Sequence, residues 1–221
     1  LVKEGKLKKF ALSDSVIYKG DDNKYYEQVG KSDKEITEEI AFDLPNGWSW
    51  CRLKDICSIF TGATFKKEET VTTKEGVRIL RGGNISPFEL RIKDDDIFLT
   101  KDKVKEDIIL KENDILTPAV TSLENIGKMV RVNSDMPNTT VGGFVFIIRL
   151  YLKNQWLSKY ILYLLSSPFM IDFMKSITNK SGQAFYNIGK ERLSTALLPI
   201  PSLAEQHRIV AQIEKLFEQL R

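Results

Sequence analysis

Apolar residues in the first 150 positions occur mostly in short runs of β-branched and aromatic side chains, or alternate with polar residues. Both patterns are typical of β-strands, because neighbouring side chains of a strand point to opposite faces of a sheet. We therefore predict strands at residues 50–53, 56–60, 77–80, 128–132 and 143–148. Residues 107–116 also alternate, and they lead into a further apolar run.

A different period begins near residue 155. Apolar side chains recur at the spacing of one helix face at Trp156, Tyr160, Ile161, Tyr163, Leu164 and Leu165. A second helical stretch follows Pro168 and continues through Phe173, and a short helix is predicted at 190–193. Pro199 and Pro201 favour an extended segment, because proline restricts both its own backbone and that of the preceding residue.

The last twenty residues predict a helix that packs on another helix. Ser202 suits an N-cap, and Glu205 three residues later completes the pattern of a capping box. An apolar stripe then follows at spacings of four, three and four residues: Ile209, Ile213, Leu216 and Leu220. This a/d pattern is typical of a coiled-coil helix. We expect the stripe to contact a helix of the leader, of a second copy or of another subunit.

The order of the elements suggests three regions. Residues 1–43 are charged and poor in large aliphatic side chains, so we expect a leader or linker that lies on a domain without forming a core. Within it, 15–18 and 25–26 flank a Gly/Asp/Asn turn, which predicts a hairpin. The domain itself is placed at 44–201 and the helix at 202–221. The irregular order of elements favours an α+β fold: a β-rich domain with a few packed helices, followed by a coiled-coil-type helix.

Composition excludes several kinds of catalytic site. The net charge is +3, and the chain contains one histidine, His207, and two cysteines, Cys51 and Cys57. Nucleophilic triads need a partnered histidine, and zinc sites need tighter cysteine pairs. The sequence also lacks phosphate-binding glycine motifs and the N-P-P-Y tetrapeptide typical of adenine methyltransferases. We therefore expect no catalytic residue, no metal site and no cofactor bound by this chain.

Three further sequence features bear on location and on metal binding. The acidic run 94–96 could suggest a Mg²⁺ site, but adjacent carboxylates point apart, so we expect a solvated turn. No run approaches the ~20 apolar residues of a membrane helix. The chain begins Leu1-Val2-Lys3-Glu4, with neither an initiator methionine nor a signal peptide. We interpret it as a cytoplasmic fragment of a longer protein.

Three predicted loops, at 61–67, 81–84 and 180–187, carry side chains that suit DNA recognition. Arg and Lys can pair with guanine, Asn and Gln can pair with adenine, and Lys or hydroxyl groups suit phosphates. The candidates are Thr64, Lys66, Lys67, Arg81, Asn84, Lys180, Gln183, Tyr186 and Asn187. Each loop contains glycine, so we expect all three to approach DNA from one face. For any single residue, a solvated loop side chain is the alternative. Arg81 could instead pair with Glu89 or Asp94, and Tyr186 could be buried.

Several short motifs, taken in order, resemble the specificity subunits of type I restriction–modification systems. Residues 44–50 (LPNGWSW) with 52–56 (RLKDI) are similar to the start of a target recognition domain in that family. Residues 79–85 (ILRGGNI) are similar to its R-x-G-N-I segment. Residues 113–116 (NDIL) depart from its G-D-I-L by Asn for Gly, which leaves a turn that tolerates a positive φ. The most specific match is 198–210, similar to the junction with P-x-P, then E-Q, then I-V that precedes a conserved helix.

The resemblance implies a DNA-recognition function. Such subunits usually carry two recognition domains, each of which recognises one half of a bipartite site on double-stranded DNA. The conserved helices between them act as a ruler and dock the methyltransferase subunits, and restriction subunits join the complex indirectly. This chain would be one non-catalytic recognition domain with the start of one helix. S-adenosylmethionine, Mg²⁺ and ATP are then expected only in the partner subunits.

Two other classes of function stay open from the sequence. The chain could be a fragment of a DNA methyltransferase or nuclease, although the catalytic motifs are absent. It could also be an adaptor that uses only its C-terminal coiled-coil helix. Methyl transfer from S-adenosylmethionine would distinguish the first class, and salt-dependent DNA binding would distinguish the second.

Overall fold

The computed structural model describes residues 15–71, 74–181 and 184–220. Its strands are β1 (Ser15–Lys19), β2 (Tyr25–Val29), β3 (Ser32–Glu35), β4 (Ser49–Arg52), β5 (Cys57–Thr61), β6 (Val77–Leu80), β7 (Ile85–Ser86), β8 (Glu89–Leu90), β9 (Ile97–Leu99), β10 (Ile115–Pro118), β11 (Val120–Thr121), β12 (Val130–Arg131), β13 (Thr139–Val141), β14 (Val145–Leu150), β15 (Thr178–Ser181), β16 (Phe185–Ile188) and β17 (Leu197–Ile200). Its helices are α1 (Leu53–Ile56), α2 (Gln155–Leu165), α3 (Pro168–Ser176), α4 (Lys190–Ser194) and α5 (Leu203–Gln219).

An antiparallel sheet with the order β12-β10-β14-β5 forms the centre of the domain. Along β14, Phe146 and Ile148 belong to a core that the sheet shares with α2, α3 and α5, whereas Val145 and Ile147 belong to a second core. The sheet β13-β6-β9 closes this second core. Side chains of a strand alternate between its two faces, so a strand covered on both faces must be continuously apolar. This explains the apolar run 145–148 in β14, which ends at Arg149.

The α+β class predicted from the sequence is confirmed, and the predicted helices are present. Where two strands were expected at 50–53 and 56–60, the structure inserts the helical turn α1 between them. Asp55 explains this break, because its carboxylate accepts the backbone N–H of Arg52 at 3.2 Å. At the substituted turn, Asn113 has a φ of 73°, as its place in the motif predicted. The hydroxyl of Ser202 caps α5 by accepting from the backbone N–H of Glu205.

The predicted hairpin is present as β1 and β2, and β3 extends it to three strands. The expectation that the leader forms no core is wrong. Ile36, which follows β3, is 2% exposed and packs in a small core with Trp50 and Leu197 of the β4–β17 pair. The boundaries placed at residues 43 and 201 stay predictions.

A buried ion pair reinforces this contact between leader and domain. The guanidinium of Arg52 on β4 donates from Nε and Nη2 to the carboxylate of Glu27 on β2, and the closest N–O distance is 2.7 Å. Both side chains are less than 10% exposed. Arg52 also pairs with Glu39 at 2.7 Å and donates to the carbonyl of Thr195 at 2.9 Å. The Arg52 side chain thereby connects β4 to Glu27 and Glu39 in the leader and to Thr195 near the end of the domain.

Candidate nucleic-acid interface

A cavity of about 590 Å³ opens between loops that lie far apart in the sequence. The loop after β5, the turn after β6 and the turn before β14 line it, together with β11 and β9. The lining residues are Ala63, Thr64, Phe65, Arg81, Gly82, Ile97, Val120, Gly142, Gly143, Phe144 and Val145. Two of the three loops predicted from the sequence therefore meet at one cavity.

A polar groove of about 360 Å³ adjoins this cavity and shares Gly82 and Val120 with it. The groove brings in Phe185, at the start of β16, and Lys128. The segment 180–187, predicted as a loop, instead contains the end of β15 and most of β16, and β16 pairs with β11 beside the groove. We call the cavity and the groove together the loop surface. Two of the three predicted segments thus meet at the cavity, and the third contributes Phe185 to the adjoining groove. The convergence of the whole segment 180–187 stays a prediction.

Arg81 stands at the edge of the loop surface with an accessible guanidinium. It donates to the carbonyl of Asp95 at 3.1 Å and to the carboxylate of the same residue at 3.3 Å. The expected alternative partners were Glu89 and Asp94, but Glu89 pairs with Arg91 instead. The Arg81 side chain is 46% exposed and that of Asp95 is 76% exposed. An ion pair this exposed is weak, so it leaves Arg81 free to exchange partners.

Asn84 was predicted to contact DNA, and this prediction is wrong. The side chain is 1% exposed. Its oxygen accepts the backbone N–H of Arg81 at 2.7 Å, and its nitrogen donates to the carbonyl of Arg91 and to the carboxylate of Asp96. These three hydrogen bonds of the amide stabilise the turn that carries Arg81. The amide therefore cannot also pair with an adenine.

The acidic run 94–96 is not the fully solvated turn that its sequence suggested. Asp96 is buried and ion-pairs with Arg78 at 2.8 Å, while Asp95 next to it is exposed. Burial alone would raise the pKa of Asp96. The backbone N–H of Lys93, the amide of Asn84 and the guanidinium of Arg78 outweigh burial and lower that pKa. Asp96 is therefore a structural anion that anchors the Arg81 turn.

The other predicted DNA contacts divide by exposure. Thr64, Lys66, Lys67, Lys180 and Asn187 are exposed, whereas Tyr186 is half-buried against the main core. The alternation of β16 explains this difference, because Tyr186 faces the core and its neighbours Phe185 and Asn187 face outward. Gln183 lies outside the described residues.

Two exposed aromatic residues on the loop surface were missed from the sequence. Phe144 is 73% exposed and Phe185 is 55% exposed. Phe144 falls in the predicted strand 143–148, and Phe185 falls in the predicted loop 180–187 but is not among the candidates named there. The Gly142-Gly143 pair was the available signal, because paired glycines favour a turn and a side chain at the tip of a turn points outward.

Helix α5 differs from its prediction in having a partner within the chain. Val210 is fully buried and Ile209 and Ile213 are half-buried, because this half of α5 packs along α2. Leu216 and Leu220 are 48% and 83% exposed. We call these two residues the outer edge of α5. The apolar stripe of α5 is thus partly buried at its N-terminal end and exposed at its C-terminal end.

A tight turn from the loop surface reaches the open end of α5. Phe88 follows Pro87 with a φ of 63°, a left-handed conformation that a bulky residue rarely adopts. Its ring lies 5.3 Å from that of Phe217 on α5 and 5.5 Å from that of Tyr163 on α2. These ring contacts connect the segment just after Arg81 to the C-terminal helix.

The described residues show neither a metal cluster nor a membrane helix. No group of three or more His, Cys, Asp or Glu side chains within 15–71, 74–181 and 184–220 could hold a metal ion. In the same ranges, no helix is long and apolar enough to cross a membrane. Burial raises the pKa of Cys51 and of Cys57 to about 12, so both stay thiols at neutral pH.

Several loops of a packed α+β scaffold thus present cationic and aromatic side chains on one surface. This is the architecture of a binding domain. The chain belongs to the type I restriction modification DNA specificity domain family, whose model matches residues 45–221. It is 29% identical over 199 residues to the specificity subunit of the type I restriction enzyme EcoAI from Escherichia coli. It is 25% identical over 181 residues to that of StySPI from Salmonella potsdam.

Solved structures share the fold. The HsdS subunit from Thermoanaerobacter tengcongensis matches with a TM-score of 0.55 at 23% identity over 81% of this chain and 39% of that chain. The S subunit from M. genitalium matches with a TM-score of 0.52 at 20% identity over 81% and 42%. The EcoAI and StySPI alignments cover 82% and 80% of this chain, but 30% and 38% of those subunits. The chain therefore spans less than half the length of each of these relatives.

Proposed function

We propose that this chain recognises one half of a bipartite DNA target as the specificity component of a type I restriction–modification enzyme, and directs methyltransferase and restriction subunits to that site. The observation that carries the proposal is the convergence of Arg81, Phe144 and Phe185 on the loop surface. Loops positioned by a rigid scaffold are the usual place for recognition residues. In this proposal the chain is non-catalytic and acts in the cytoplasm, and its partners bind S-adenosylmethionine, Mg²⁺ and ATP.

Methylation mapping tests the proposal. The whole specificity subunit that contains this chain is expressed with its methyltransferase subunit, and modified adenines are mapped in the host DNA. Exchange of residues 44–201 for the matching segment of a relative should change one half of the mapped site and leave the other half unchanged. A site that is unchanged after the exchange would contradict the proposal. Methyl transfer by this chain alone would favour the enzyme alternative instead.

Arg81→Ala should weaken binding to the mapped site by about 1–3 kcal/mol and relax specificity at one base pair. The guanidinium can make two hydrogen bonds to a guanine edge once it leaves the exposed Asp95 carboxylate. Competition binding against duplexes with single base changes measures both effects. Arg91→Ala is the matched control, because Arg91 is also an exposed arginine in an ion pair and lies close in the chain. A uniform loss across all sequences would assign Arg81 to a phosphate.

Lys67→Ala should weaken binding to all sequences alike and reduce the slope of log K against log salt by about one unit. We expect the exposed Lys67 ammonium to contact a phosphate, and each such contact releases counterions. The chain alone should show this as non-specific binding in the range of ~10⁻⁴ to 10⁻⁶ M at physiological salt. Lys153→Ala, in the turn beyond the opposite end of β14, should leave the slope unchanged. An unchanged slope in Lys67→Ala would remove that residue from the interface.

A further inference from the structure

Phe144 is an exposed side chain on a firmly held backbone. The turn that carries it is closed by the Val145 N–H, which donates to the Gly142 carbonyl at 2.9 Å. The carbonyl of Phe144 itself accepts the backbone N–H of Ala119 at 2.8 Å. The ring is nevertheless 73% exposed. A large apolar side chain that is exposed to water contributes little to folding. Because its backbone is already fixed, it contacts a ligand at a lower cost in conformational entropy.

The surroundings of Phe144 are apolar, close-packed and open to one side. Ala63, Phe65, Ile97 and Val120 line the same cavity, and Arg81 is the charged residue among those that line it in the described part of the chain. The loop after β5 approaches the Phe144 turn very closely. A Cβ on Gly62 would lie 2.0 Å from the carbonyl oxygen of Val141. The cavity wall therefore depends on that glycine and is preformed.

We propose that Phe144 contacts the 5-methyl group of a thymine in the major groove, with the base edge at the mouth of this cavity. The inference rests on the proposed function and adds to it the kind of base that this surface selects. In the major groove, the base edges carry mostly hydrogen-bond donors and acceptors. The apolar group among them is the 5-methyl group of thymine. An apolar mouth with one guanidinium at its edge complements a methyl group beside hydrogen-bond acceptors. The half-site of this domain therefore contains a thymine whose methyl group contributes to affinity.

The experiment uses the whole specificity subunit assembled with its methyltransferase, and duplexes of the mapped site. Each thymine of the half-site is replaced in turn by deoxyuridine, which removes only the methyl group. One replacement should weaken binding about fourfold, which corresponds to the ~0.8 kcal/mol of one buried methyl-sized group. In Phe144→Ala the same replacement should have no effect, because the methyl group has lost its partner. Phe144→Leu should keep most of the discrimination, since it keeps an apolar contact.

Leu152→Ala is the matched control. Leu152 is 69% exposed in the turn beyond the other end of β14, away from the loop surface. This variant should discriminate thymine from deoxyuridine like the unaltered subunit. Thermal unfolding of each variant confirms that the domain is folded.

Three results would overturn the inference. The half-site could contain no thymine, every deoxyuridine replacement could be neutral, or discrimination could persist in Phe144→Ala. Neutral replacements together with strong DNA bending that Phe144→Ala abolishes would identify Phe144 as a wedge between base steps in the minor groove. In each of these cases the subunit still binds its site, so the proposed function survives. Loss of all sequence-selective binding by the unaltered complex would instead contradict the proposed function.

Discussion

Arg52→Ala should lower the free energy of unfolding by about 3–5 kcal/mol, because it leaves Glu27 as a buried and unpaired carboxylate. The loss is a large fraction of the 5–15 kcal/mol that stabilises an ordinary domain. Urea unfolding followed by circular dichroism measures it. Arg208→Ala removes an exposed ion pair with Glu205 and should leave the midpoint unchanged. Equal midpoints for the two variants would show that the leader does not depend on Arg52.

The same ion pair predicts how stability depends on pH. The Arg52 guanidinium lowers the pKa of Glu27 below its ordinary value of 4.5 in the folded protein. The pair therefore contributes fully above pH 4.5, and its contribution is lost as the pH falls below that value towards the folded pKa. Arg52→Ala should show a flatter loss of stability in this acidic window. Replacing both partners by apolar residues, in Arg52→Met with Glu27→Leu, should recover much of the lost stability.

Leu216→Asp combined with Leu220→Asp should weaken assembly with methyltransferase subunits by more than about 100-fold, because each carboxylate would be desolvated in an apolar helix contact. Both side chains are exposed, so the domain should stay folded. Ile213→Asp is less informative, because Ile213 is half-buried and belongs to the half of α5 that packs along α2. Co-purification and sedimentation of the complex measure assembly.

Ala211→Asp combined with Lys215→Asp is the matched control for the outer edge of α5. It also introduces two aspartates into α5, but on a face of the helix that points away from Leu216 and Leu220. Assembly should be nearly normal in this control. Normal assembly in the Leu216 and Leu220 variant as well would remove the outer edge of α5 from the docking surface.

The candidate DNA-binding residues show where sequence reasoning stops. Arginine and asparagine in the segment Arg81–Asn84 both suit hydrogen bonding to bases, and nothing in their order distinguishes them. Asn84 is consumed inside the fold by three hydrogen bonds, whereas the Arg81 guanidinium stays accessible. Phe144 presents the opposite case, because a phenylalanine beside a strand is expected in the core. Only the turn made by Gly142 and Gly143 places it outside.

The sequence by itself determined the class of fold, most of the helices and strands, the cap of α5 and the family. Burial requires apolar residues at the period of the element that is buried, and turns and caps require particular residues, so both leave a local pattern. The tertiary structure alone decided which loops meet, that Arg52 ties the leader to the domain, and that α2 covers the first half of α5. These contacts join residues far apart in the chain. Because the energy of each contact depends on burial and on which partner is present, no local pattern records it.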